Sequence, residues 1–347
     1  MRAIILLLIV GAVGLALAAL GWMLAAALFP HAWLSAVFAA LGWPLGSIAL
    51  LMIHSLTGGK WGEAVRAPLL LGVVVLPLVL LAYLPVAFVF PTLYPWVHRD
   101  VAQTLYNSWY LNVGFFTGRG LFYVVVWLGL ASVALLGGLG RGTLARRCAP
   151  PGLILLAVTA TFAAFDLTAS LDPEYNSSIY GMLTGTGMVL FALSIALLLA
   201  VPAARGEARD ELGKLLLALC LLWAYLDFVQ MLVVWSSNLA HDAPWMERRF
   251  QGFWGWAFGA TAVLHGFVAL LLLAIPRFRR IDVVVMGLAA VLVAAHLVRS
   301  WWLVLPEAHR EPGWLDAVCM VGLMAAVLGC GLLAGRLRMF SRGQAHV

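Results

Sequence analysis

The chain has 347 residues, of which 64% are hydrophobic and only 10% charged, and its formal net charge is +6. A mean hydropathy of +1.01 excludes a water-soluble globular domain and leaves a polytopic membrane protein. The positive charge is spread over several short segments, which gives no basis for nucleic-acid binding.

A helix that crosses about 30 Å of hydrocarbon needs roughly 20 mostly apolar residues. In chain order, runs of that kind cover about 3–29, 34–56, 68–90, 120–140, 151–171, 178–202, 212–237, 250–275, 282–304 and 313–335. The expected fold is all-α, with about ten transmembrane helices in one domain, 1–347. The first run exceeds the roughly 7–15 apolar residues of a signal peptide and is expected to remain as the first helix.

Basic residues recur in every second connection: Lys60 and Arg66, then Arg141, Arg146 and Arg147, then Arg205, Arg209 and Lys214, then Arg277, Arg279 and Arg280. Arg336, Arg338 and Arg342 follow in the tail, whereas Asp172, Glu174, Asp242, Glu307 and Glu311 fall in the alternate connections. The positive-inside rule therefore predicts cytoplasmic termini, which requires an even number of spans. Trp96, Trp109, Trp235, Trp245, Trp301, Trp302 and Trp314 sit near the predicted outer helix ends, where an aromatic belt suffices to explain most of them. The longest connection, 91–119, carries Pro91, Pro95 and many aromatic residues and is expected to lie on the membrane surface.

Several chemistries lack their residues. Cys148, Cys220, Cys319 and Cys330 form no C-x-x-C pair and no haem-attachment motif, and the chain has no phosphate loop, nucleophile elbow or H-E-x-x-H helix.

Ionisable residues inside the spans carry the functional information, because a central acid costs about 2.5–3.5 kcal/mol on insertion scales. The candidates are Asp166 on the fifth span, Asp227 and Gln230 on the seventh, His265 on the eighth and His296 on the ninth. Asp227 and Gln230 share a helix face, so Asp227 is either a proton relay or a protonated donor to Gln230 or a neighbouring helix. His265 lies roughly 15 Å and His296 roughly 21 Å from the cytoplasmic end, a mismatch that disfavours bis-histidine haem and favours hydrogen bonds between helices. His54, Asp282, Arg299 and Asp316 lie near helix ends, where water or snorkelling removes most of the burial cost, and are expected to be structural. In FDLTASLDPEYNSSIYGM, Pro173 stops the fifth helix, Asn176 or Ser177 can cap the sixth, and Asp172 and Glu174 are expected to face water. Asp166 alone of these acids is expected to be buried.

Three stretches carry a family likeness. FD-x4-LDPEYNSSIYGM from Phe165, YLNVGFFTGRGLFYVVVW from Tyr110 and WAYLDFVQMLVVWSSNLAHDAPWMERR from Trp223 occur in an order that resembles the second large membrane subunit of bacterial alternative complex III. That complex is a quinol:cytochrome c oxidoreductase. The chain has Leu167 where the family usually has an aromatic, and Leu239-Ala240-His241-Asp242 where it usually has Pro-Glu-Glu. The resemblance implies ten helices built around two four-helix bundles, in a bacterial inner-membrane subunit with no haem or iron–sulfur cluster of its own. It implies an NrfD-like quinol-oxidising membrane subunit as neighbour, multihaem cytochrome c and iron–sulfur subunits as partners, an associated terminal oxidase, and quinone within the complex. It also implies a proton path, with Asp166 and Asp227 at or beside the family's polar positions. A quinone-binding catalytic subunit and an independent secondary transporter are the competing readings.

Overall fold

The computed structural model describes residues 1–138, 142–200, 206–237 and 243–344. Arg141, Arg205 and the stretch from Asn238 to Asp242 lie outside them, as do the side chains of Arg338 and Arg342. Among the described residues every regular element is a helix, and ten helices are long and apolar enough to cross a bilayer. They are α1 (Arg2–Leu24), α2 (Phe29–Thr57), α3 (Lys60–Phe88), α4 (Val113–Gly138), α5 (Gly142–Leu167), α6 (Tyr180–Ala200), α7 (Gly206–Ser237), α8 (Gly252–Ala274), α9 (Asp282–Val304) and α10 (Trp314–Gln344). The chain is a multi-pass membrane protein.

Two groups of four helices make up the body. Within the first, α2 packs on α3 and α5, and α4 packs on α3 and α5. Within the second, α6 packs on α7 and α9, and α8 packs on both. The groups meet where α2 lies against α6, flanked by contacts of α2 with α9, α3 with α7, and α5 with α6. α2 is buried nearly all round, from Phe29 to Leu50, because Ala, Gly and Ser among its larger residues let neighbours approach on every side. α3 is broken into three pieces whose restarts place Pro77 and Pro85 in first turns, where a missing N–H leaves no bond unmade.

The remaining helices, α1 and α10, form a pair at one side, and α10 also packs on α2 and α3. α1 leaves Ile5, Leu6, Ile9, Val13, Leu17 and Leu20 exposed and presents Gly11, Gly14, Ala18 and Gly21 to α10 or its neighbours. A Cβ on Gly14 would lie 2.4 Å from Cα of Gly322, so the backbones touch there. Gly14→Leu is expected to lower stability by about 1–3 kcal/mol, the usual cost of overpacking. Amide exchange should rise through 2–24 and stay unchanged in α6; an unaltered α1 exchange profile would reject the contact as α1's anchor.

The even number of spans puts both termini at one end. Lys60 pairs with Glu207 at 2.5 Å and Arg209 with Asp282 at 2.8 Å at that end. At the other end Arg248 and Arg249 pair with Asp172 and Glu307, and Arg310 pairs with Asp316.

Several expectations are corrected. The first helix stops at Leu24, because a turn at 25–28 made wholly of apolar residues gives no signal in hydropathy. α4 and α5 begin at Val113 and Gly142, well before the apolar runs they carry. Trp96, Trp245 and Trp302 are core residues at 1%, 1% and 2% exposure, whereas Trp109, Trp235 and Trp314 are exposed as a belt requires. The 91–112 connection is only partly superficial. Leu93, Tyr94 and Trp96 are buried, with Tyr94 donating to the Leu167 carbonyl at 3.2 Å and Trp96 to the Ser170 carbonyl at 3.1 Å, while Tyr106 and Trp109 are exposed.

Candidate functional site

Asp166 stands one residue before the end of α5 and is 2% exposed. Its Oδ1 accepts from Arg119 Nη2 at 2.7 Å and from the Tyr110 hydroxyl at 3.0 Å. Its Oδ2 accepts from Arg119 Nε at 2.9 Å and from the Tyr123 hydroxyl at 2.8 Å. Arg119 and Tyr123 are four residues apart on α4 and so share the face turned to α5. The guanidinium also donates to the Tyr110 carbonyl at 3.0 Å and lies 3.7 Å over the Tyr110 ring. Burial first, and the Asp166 charge second, hold the Tyr110 phenol well above its ordinary pKa, so it remains a donor. Four donors on two oxygens, two of them from one arginine fork, make a clamp between α4, α5 and the 91–112 connection. As expected, Asp166 is buried; its partner Arg119 was not singled out by the sequence.

A second ion pair lies in the other bundle. Asp227 of α7, 7% exposed, accepts from Arg299 Nη2 of α9 at 2.6 Å. Arg299 lies 4.0 Å over the Trp302 ring and 5.6 Å from that of Trp223. The partner of Asp227 is thus a neighbouring helix and not Gln230, and the expected snorkelling of Arg299 is corrected. Arg299 does not snorkel to an end but supplies the countercharge to Asp227, its guanidinium held by that carboxylate and by the Trp302 ring. Gln230 does not bond Asp227: it accepts from the Ser177 hydroxyl and donates to the Tyr175 hydroxyl at 2.8 Å. The Ser177 hydroxyl is thereby committed to α7, and the Asn176 amide donates to the Glu174 carbonyl at 3.1 Å.

Further out, Arg249 is fully buried against Trp245, its guanidinium 3.6 Å from that ring. It donates to the carbonyls of Trp245, Trp302 and Leu303 at 2.9, 3.1 and 2.9 Å and pairs with Glu307 at 2.8 Å. Arg248 bridges Asp172 and Glu307. Asp172 is therefore a half-buried ion-pair member, not a water-facing turn residue; Glu174 is exposed as expected. Asp316, 1% exposed, is likewise neutralised by Arg310 at 2.5 Å instead of by water, and Asp282 is largely open beside Arg209.

His265 and His296 lie on one cavity of about 30 Å³ between α6, α7, α8 and α9, which Trp223, Arg299 and Ser300 also line. The depth mismatch read from the sequence does not separate them. Both rings line the same space, His265 from α8, whose residues 262–269 form a π-helix, and His296 from α9. His265 stacks on Trp223 at 3.9 Å, and its Nε2 has no hydrogen-bond partner. His296 stacks on Phe191 at 4.1 Å, and its Nε2 lies 3.3 Å from the Ala39 carbonyl, which fits the expected contact between helices. No group of three or more His, Cys, Asp or Glu that could hold a metal ion occurs among the described residues.

Arg119, Arg249 and Arg299 form the frame of these sites. The available signal was the presence of arginine in or beside an apolar span, where each requires a partner. Set against known proteins, the chain matches no family model and no curated protein.

Proposed function

We propose that this chain is an integral membrane subunit of a respiratory quinol:cytochrome c oxidoreductase of the alternative complex III type. In this reading it lies in a bacterial cytoplasmic membrane with its basic loops inside. An NrfD-like subunit, multihaem cytochrome c, iron–sulfur subunits and a terminal oxidase are its partners, and the chain contributes a proton-carrying group without a redox centre of its own. One observation supports the reading above others. The three stretches that carry the family likeness are far apart in sequence yet meet side chain to side chain: Tyr110 and Arg119 on Asp166, and Tyr175 and Ser177 on Gln230.

The cavity beside His265 and His296 is too small for a quinone ring. A volume of about 30 Å³ is far below the roughly 150 Å³ that accepts a benzene ring. Asp166 has every strong acceptor direction filled, which suits a clamp. Asp227 has one arginine nitrogen and borders the cavity residues, which suits a group that exchanges protons.

An affinity-tagged chain purified from its native membranes in mild detergent is expected to bring down c-type haem and iron–sulfur subunits; recovery of the chain alone would favour the transporter. In that complex, Asp227→Asn keeps the shape and removes titration. The amide keeps an acceptor for Arg299 but not the countercharge, so assembly and electron transfer should survive at lowered stability while proton uptake by reconstituted vesicles is lost. Unchanged uptake would make Asp227 purely structural.

A further inference from the structure

Two residues that line the cavity beside the Asp227–Arg299 pair each carry a buried polar atom with no hydrogen-bond partner, His265 Nε2 and Arg299 Nη1. The two side chains flank the same indole: His265 stacks on Trp223 at 3.9 Å, and the Arg299 guanidinium carbon lies 5.6 Å from that ring centre. Leaving such atoms unpaired costs roughly 1–3 kcal/mol for a neutral group and more for a charged one. A ligand that bonds both removes that cost.

The chemistry of the lining selects the ligand. A cation is opposed by the Arg299 charge, and an anion gains little because Asp227 already neutralises that charge at 2.6 Å. An aromatic ring is too large for about 30 Å³, whereas a water needs only about 10–15 Å³ and two or more polar partners. The Ser300 and Thr184 hydroxyls on the lining donate to carbonyls of their own helices, at 3.1 Å to His296 and 2.9 Å to Tyr180, and keep lone pairs free to accept.

We propose that this cavity is a hydration site in the membrane interior, holding one or two waters bonded to His265 Nε2 and Arg299 Nη1. The waters complete a chain from His265 through water and Arg299 to the Asp227 carboxylate. The imidazole of His265 lies on the π-helical segment of α8 and is stacked on Trp223, which fixes its plane. The site is a property of the chain itself and does not depend on the respiratory reading.

Radiolytic hydroxyl labelling in ¹⁸O-water tests this on the full chain in lipid nanodiscs, because a bound water labels the side chains that touch it. Trp223 is expected to take up label despite its depth. Labelling should fall severalfold in His265→Leu, which removes the anchoring nitrogen, and persist in His265→Gln, which retains a polar atom. A native protein with unlabelled Trp223 has a dry cavity, and equal labelling in all three proteins means that water does not depend on His265; either result overturns the proposal. So does a density map of the chain that places an object larger than water between the two nitrogens.

Discussion

Arg119→Ala is expected to destabilise the protein by about 3–5 kcal/mol, the cost of stranding one member of a buried ion pair. Asp166 is 2% exposed and takes two of its four hydrogen bonds from that guanidinium. Without Arg119, two tyrosine hydroxyls remain to solvate a carboxylate in an apolar surround, and the carboxylate must protonate or draw in water. Arg119→Lys should recover part of the loss, since a single ammonium restores the charge but not the paired fork or the stacking on Tyr110. Reversible unfolding in SDS, followed by tryptophan fluorescence, measures all three proteins. A loss below about 1 kcal/mol for Arg119→Ala would place the interaction with exposed pairs and reject the clamp.

The Asp227–Arg299 pair is expected to behave in the same way when broken and differently when replaced. Arg299→Leu and Asp227→Leu should each cost about 3–5 kcal/mol, because each leaves an uncompensated buried charge. The double variant should be closer to the native protein than either single variant, since removing both charges also removes the desolvation penalty. A double-mutant cycle gives the coupling directly, and losses that simply add would deny the pair. The same double variant separates two roles. Restored stability combined with absent proton uptake would keep Asp227 a proton-carrying group; restored stability with native uptake would leave the pair a means of joining α7 to α9.

Class and number of spans were legible from hydropathy alone. A run of about 20 apolar residues has only one stable form in a bilayer, since an unbonded backbone in hydrocarbon costs several kcal/mol per group. Hydropathy therefore reads out helices directly, and it misplaced ends where the chain turned without changing polarity, as at residues 25–28, or where a helix began in polar sequence, as at Val113 and Gly142. The sequence also located Asp166 and Asp227 as buried acids, because burial of a carboxylate is a property of its position in a span. What neutralises each acid was decided by tertiary structure alone. Asp227 has Gln230 one turn away, yet its partner is Arg299, 72 residues further along the chain. Asp166 joins Arg119, 47 residues earlier, to tyrosines from two separate segments. Helix periodicity specifies a face but not the helix that face will meet, so pairings between helices leave no local trace. The meeting of His265 and His296 was hidden for a related reason: a residue count gives the depth of a backbone position on its own helix, and only the packed bundle decides that both rings line the same cavity.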